Sequence, residues 1–97
     1  MERHEAAIFA AELGGAPEID LHGLATDEAI RELDAFIHRE IMRGTEVVKI
    51  IHGRGDGILR KTVQKWLASQ KETVLYFRDT DNHLQQGAVT FAVLMSI

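Results

Sequence analysis

The chain has no cysteine, one proline, one tryptophan and one tyrosine among its 97 residues. Without cysteine there is neither a disulfide framework nor a thiolate metal centre, and the chain is compatible with a reducing, cytoplasmic setting. No apolar run approaches the length that crosses a bilayer, and the opening segment MERHEAAIFAAEL is too charged for a secretory signal. Low-complexity tracts and internal repeats are also missing. What is present is the hydrophobic content of an ordinary globular domain, 45%, in a length that suits one domain.

The formal net charge is −4, which by itself argues against a polyanion partner. The distribution says more than the sum. Residues 1–38 carry two basic and nine acidic groups, residues 39–78 nine basic and four acidic, and residues 79–97 two acidic and no basic groups. The positive charge is therefore gathered in the middle of the chain. Uneven solvated charge accounts for this as well as nucleic-acid binding does, unless motifs in the same segment agree.

Residues 1–13 read as a short helix with Ile8, Phe9 and Leu13 as its apolar positions, broken by Gly14-Gly15-Ala16-Pro17. Residues 1–17 are thus expected to form an arm, a packing helix or a linker, and residues 18–97 the domain proper. Glu18–His22 alternates as a strand, with Ile19 and Leu21 on one face and Asp20 and His22 on the other. A helix should follow from an N-cap at Thr26 to about Arg43, with Ala29, Ile30, Leu33, Phe36, Ile37 and Ile41 at core spacing and Gly44 as its stop. Glu46–Ile51 is a second strand, His52–Gly57 a glycine loop, and 57–69 a second helix with Ile58, Leu59, Val63, Trp66 and Leu67 inward. Val74–Arg78 and Ala88–Met95 are two further strands, separated by a polar connection over Asp79–Gln86. The expected fold is a two-layer α/β sandwich of order β-α-β-α-β-β. Two main helices lie on one face of a four-stranded mixed sheet, and an N-terminal helix can be added to it.

Two short motifs carry candidate chemistry. In Asp20-Leu21-His22-Gly23 the carboxylate and the imidazole share one side of a strand, at the end where open α/β sheets bind ligands. Such a histidine moves protons near neutral pH, and the carboxylate can orient it. Alone, this D-x-H pattern is better read as a solvent-facing carboxylate and a turn-capping histidine. In His52-Gly53-Arg54-Gly55-Asp56-Gly57, alternating glycines let the backbone approach a ligand, and the loop opens a helix whose free amides attract anions. Arg54 would add a two-pronged phosphate contact. Asp56 opposes an anion unless it faces elsewhere or caps the helix, and a flexible turn is the competing account of the whole loop. Arg60, Lys61, Gln64 and Lys65 lie opposite the apolar stripe, where they form either a phosphate track or a solvated face; Lys49 and Arg78 would extend the track. Trp66 and the methionines Met42 and Met95 are expected in packing roles. His4, His38 and His83 are expected at the surface. No metal-ligand spacing is evident, and a divalent cation is left open only as an aid to cleavage.

Joint placement strengthens both motifs. If the intervening helix is a right-handed crossover, the first two strands are parallel, so His22 and His52 end on one sheet edge beside two helix starts.

With these residues in view, the chain resembles the Smr (small MutS-related) domain family. Ile19–Gly23 (IDLHG) resembles that family's LDxH motif, Ile50–Arg60 (IIHGRGDGILR) its glycine turn with the following G-x-L-R, and Gly87–Leu94 (GAVTFAVL) its glycine-led last strand. The resemblance covers about residues 18–95. It implies a two-layer α/β fold related to the C-terminal domain of a bacterial translation initiation factor. It also implies nucleic-acid binding and, in several members, endonuclease activity on DNA or RNA. Some members carry arginine at the His22 position; Asp20 and His22 together match the catalytic version. Gln85-Gln86-Gly87 is shorter than the glycine-rich turn of many members. On this resemblance the expected catalytic residues are Asp20 and His22. The expected phosphate-binding residues are His52, Gly53, Arg54, Gly55, Gly57, Arg60, Lys61 and Lys65, with DNA or RNA as partner. A binding module without catalysis is the alternative, and a protein-interaction domain has least support.

Overall fold

The computed structural model describes residues 2–97. The helices are α1 (Arg3–Gly14), α2 (Thr26–Met42) and α3 (Ile58–Ser69), and the strands are β1 (Glu18–Asp20), β2 (Val47–Ile51), β3 (Val74–Asp79) and β4 (Val89–Leu94). A 3-10 turn over His83–Gln85 joins β3 to β4. The strand order is β1-β2-β4-β3, with β1 parallel to β2 and β4 antiparallel to both of its neighbours. This is the expected α/β class with its mixed four-stranded sheet.

Period-two alternation divides the sheet into two apolar faces. Val48, Ile50, Ala92 and Leu94 pack with Leu33, Phe36 and Ile37 of α2 and Val63 and Leu67 of α3. Val47, Val89, Phe91 and Val93 face the other way and enclose Ile8 of α1. All six residues of β4 are buried, as a central strand covered on both faces requires. The N-terminal helix is therefore a packing helix on the face opposite α2 and α3.

Its contacts differ from those the sequence suggests. Ile8 is buried, but Phe9 and Leu13 are exposed, and Ala7 and Ala11 complete the inner stripe. The helix is also held to the sheet by charge. Arg78 Nε donates to Glu5 Oε1 at 2.7 Å and Arg78 Nη2 to Glu12 Oε1 at 3.1 Å, while Tyr76 donates to Glu5. Glu12 also accepts from the Thr80 hydroxyl and the Asp81 N–H. His4 stacks on Tyr76 and is half-buried, not a surface residue.

Smaller differences have local causes. Helix α2 is preceded by Ala25 as N-cap, and Thr26 is its first helical residue, so the expected threonine cap does not form. Met42 is exposed because it falls opposite the α2 stripe, whereas Met95 packs against the core. Ile58 is likewise exposed, one residue before the α3 stripe settles. Glu40 is buried within α2 and accepts hydrogen bonds from Thr45 Oγ1 at 2.8 Å and Arg43 Nη1 at 3.1 Å. It thereby fastens the turn at Gly44, whose φ of 80° suits glycine.

Candidate nucleic-acid site

The parallel pairing of β1 with β2 brings the two motifs together at one sheet edge. The ladder continues to Leu21, whose N–H donates to Ile51 O at 2.7 Å, and Leu21 is fully buried. This anchors His22 one residue beyond the ladder. On β2, where Asp20 pairs with Ile51, the register brings Leu21 level with His52 and His22 level with Gly53. The contact between the motifs is close: a Cβ built on Gly53 would lie 3.1 Å from the His22 Cβ, and Gly53 has a φ of 76°. Glycine is required there twice over, by backbone conformation and by space. Between them opens a cleft of about 370 Å³, lined by His22, Gly23, Leu24 and the loop from His52 to Gly57, with Leu59 behind.

Asp20 and His22 form a pair. The His22 ring Nδ1 lies 2.6 Å from Asp20 Oδ1, and the His22 main-chain N–H donates to the same oxygen at 3.1 Å. The hydrogen bond from the His22 ring holds the Asp20 carboxyl below its ordinary range, so it is ionised at neutral pH. With Nδ1 donating to that carboxylate, the neutral ring carries its lone pair on Nε2. Both side chains are open to solvent, at 69% and 51% exposure.

His52 is placed differently from the other loop residues. It is only 3% exposed. Its Nδ1 donates to its neighbour's carbonyl, Gly53 O, at 3.0 Å, and its Nε2 lies 2.9 Å from Thr90 Oγ1. Thr90 also accepts from Gln64 Nε2 at 3.0 Å, Gln64 donates to Asp79 Oδ1 at 2.9 Å, and Arg60 Nε donates to Asp79 Oδ1 at 3.1 Å. A polar chain thus runs from the α3 surface through β3 and β4 to the glycine loop. Burial pushes the His52 imidazole below its ordinary value, and Arg60 does the same for the Asp79 carboxyl. Sequence patterning missed Thr90, Gln64 and Asp79 as partners; the polar threonine inside the apolar run of β4 was the one signal available.

The arginines are largely committed to the fold. Arg54 Nε donates to Gln86 O at 2.9 Å and Nη2 to Leu84 O at 2.6 Å, tying the loop to the 3-10 turn. Arg60 is held by Asp79 and Arg78 by α1, while Lys49 lies on the α1 face beside Glu12 and Glu18. Arg78 and Lys49 therefore do not extend the track of α3. Lys61 and Lys65 are exposed on α3. Asp56 caps α3, accepting from the Ile58 N–H at 3.0 Å, so its charge is spent on the helix start. Gly55 and Gly57 have φ of 42° and 85°. Among the described residues no group of three or more His, Asp or Glu is arranged to hold a metal ion, and no helix is long and apolar enough to cross a membrane.

Residues 19–95 match the model of the Smr domain. The chain is similar to Endonuclease MutS2 of Symbiobacterium thermophilum, 39% identical over 61 residues, which is 63% of this chain and 8% of the relative. It is also similar to Endonuclease MutS2 of Finegoldia magna, 48% identical over 54 residues, covering 56% of the chain and 7% of the relative. The chain thus spans less than a tenth of these relatives. Among solved structures, the Smr domain of Thermus thermophilus MutS2 superposes with a TM-score of 0.77 at 30% identity, over 81% of this chain and 98% of that one. YdaL, a stand-alone small MutS-related protein from Escherichia coli, superposes with a TM-score of 0.79 at 21% identity, over 95% and 76%.

Proposed function

The chain belongs to the Smr domain family, and from that premise we propose that it binds nucleic acid and cleaves phosphodiester bonds in DNA or structured RNA. The observation that carries this reading is the Asp20–His22 pair standing over the glycine loop, with a 2.6 Å hydrogen bond inside the pair and a 3.1 Å approach to Gly53. A phosphate held against the loop lies beside the His22 imidazole. Nε2 takes a proton from the attacking water or ribose hydroxyl as its oxygen bonds to phosphorus, and the Asp20 carboxylate fixes the tautomer and stabilises the imidazolium that results. The departing oxygen takes a proton from that imidazolium or from solvent as its P–O bond breaks. Lys61 and Lys65 guide the flanking backbone electrostatically, with the salt dependence such contacts bring. The similarity to MutS2 endonucleases supports cleavage; a cytoplasmic location accords with the cysteine-free composition.

Nicking of supercoiled plasmid and cleavage of structured RNA, each with and without EDTA, test this reading. His22→Ala should lower the rate by about two orders of magnitude or more, the usual contribution of a positioned acid–base group. Undiminished cleavage by that variant would remove His22 from the mechanism. A second reading, a binding module without catalysis, is favoured by the wide solvent exposure of both members of the pair. It predicts salt-sensitive binding that survives His22→Ala, with no cleavage by the parent protein.

A further inference from the structure

The loop between β2 and α3 has two classes of backbone amide. The N–H groups of His52 and Gly53 both donate to Ala88 O at 3.0 Å, Gly57 N–H donates to Arg54 O, and Ile58 N–H is taken by Asp56. Arg54, Gly55 and Asp56 have main-chain N–H groups with no acceptor among the described residues. Of these three, only the Arg54 amide belongs to a peptide plane fixed by a buried side chain. The Gly53 carbonyl is drawn toward the interior by the His52 Nδ1–H. In a trans peptide the next N–H points opposite to that carbonyl, and no peptide bond in the structure is cis. The Arg54 N–H is thereby turned outward, away from the His52 ring. The ring itself is held at its far nitrogen by Thr90, which Gln64 supports.

The Arg54 guanidinium, in contrast, already spends Nε and Nη2 on the carbonyls of Gln86 and Leu84. We infer that His52 is a positioning residue that aims the Arg54 main-chain N–H as the phosphate donor of the loop, while the Arg54 side chain braces the 3-10 turn. This inference rests on the phosphate-binding reading above and names the donor within it. The design follows from cost. A fixed amide dipole needs no reorganisation when an oxyanion arrives, whereas the Nε and Nη2 donors of this arginine are already given to two carbonyls and only its remaining N–H groups are open to a phosphate.

The test follows the amide resonances of the ¹⁵N-labelled protein during titration with the dinucleotide UpU, alongside binding of a short RNA hairpin at low salt. The Arg54 amide proton should move downfield and saturate. His52→Leu should abolish that movement and weaken hairpin binding about tenfold, the scale of one hydrogen bond to a charged acceptor. His52→Gln, which can still donate to Gly53 O, should restore both. Should His52→Leu fail to fold, Thr90→Val carries the same comparison: it removes the hydroxyl partner of the ring, while Gln64 loses one of its two acceptors and keeps Asp79, and it should diminish the Arg54 movement. Hairpin binding with an unmoved Arg54 amide would overturn the inference and leave the functional reading standing. So would a natively folded His52→Leu that binds as tightly as the parent. Absence of binding by the parent protein would overturn both.

Discussion

Replacing Gly53 with alanine separates backbone strain from site geometry. At φ of 76° an L-residue carries a left-handed penalty of roughly 1–2 kcal/mol. The added methyl also meets the His22 Cβ at 3.1 Å, closer than ordinary van der Waals contact, so a shift of a few tenths of an ångström must follow. Gly44→Ala is the natural control. Gly44 has a φ of 80°, with open space where a Cβ would stand, at the end of α2. Both variants should lose about 1–2 kcal/mol in urea unfolding, or several degrees of Tm in a domain of this size. Gly53→Ala should lose up to about 1 kcal/mol more, less than overpacking costs in a closed core because His22 can yield toward solvent. The sharper difference lies in function. Moving His22 relative to the loop should slow cleavage about tenfold or more, whereas Gly44→Ala should cleave like the parent at a temperature where both are folded. Parent-like cleavage by Gly53→Ala would refute the coupling between the loop and His22.

The remaining expectations concern stability. His52 is held below its ordinary pKa of 6.5 by burial, so just below that pH the unfolded chain binds a proton that the native state refuses; stability should be complete above pH 6.5 and fall as pH drops through the native value. Asp79, depressed by Arg60, adds a second loss of the same sign below its ordinary 3.8, and His52→Gln should erase only the upper step in unfolding measured against pH. Arg78→Ala leaves Glu5 and Glu12 without their partner; roughly 2–3 kcal/mol should be lost, and hydrogen exchange should show α1 losing protection before the sheet. Glu40→Ala should cost about 1–3 kcal/mol by stranding the Thr45 hydroxyl, while Glu40→Gln retains an acceptor and should recover most of it in thermal unfolding.

The class and element order of this protein are written in local patterns. The alternation of Ile19 and Leu21, the apolar run Val47–Ile51 and the α2 and α3 stripes each depend on residues a few positions apart. The parallel pairing of β1 and β2 then places His22 and His52 on one edge, because both strands end on the same side of the sheet. The Asp20–His22 pair was legible for the same reason, being two residues apart in sequence, although the strand ends at Asp20 and His22 lies just past it. Side-chain commitments made across the chain were not legible. Arg54 is spent on carbonyls 30 and 32 residues away, Arg60 on an aspartate 19 away, and Arg78 on glutamates 73 and 66 away. Those pairings exist only because β4 inserts between β2 and β3 and α1 covers the second face, and neither arrangement leaves a periodic trace. His52 shows the division most clearly. Its position in the glycine motif is a fact of sequence, but its inward turn follows from Thr90 on β4, a strand that lies beside it only in three dimensions.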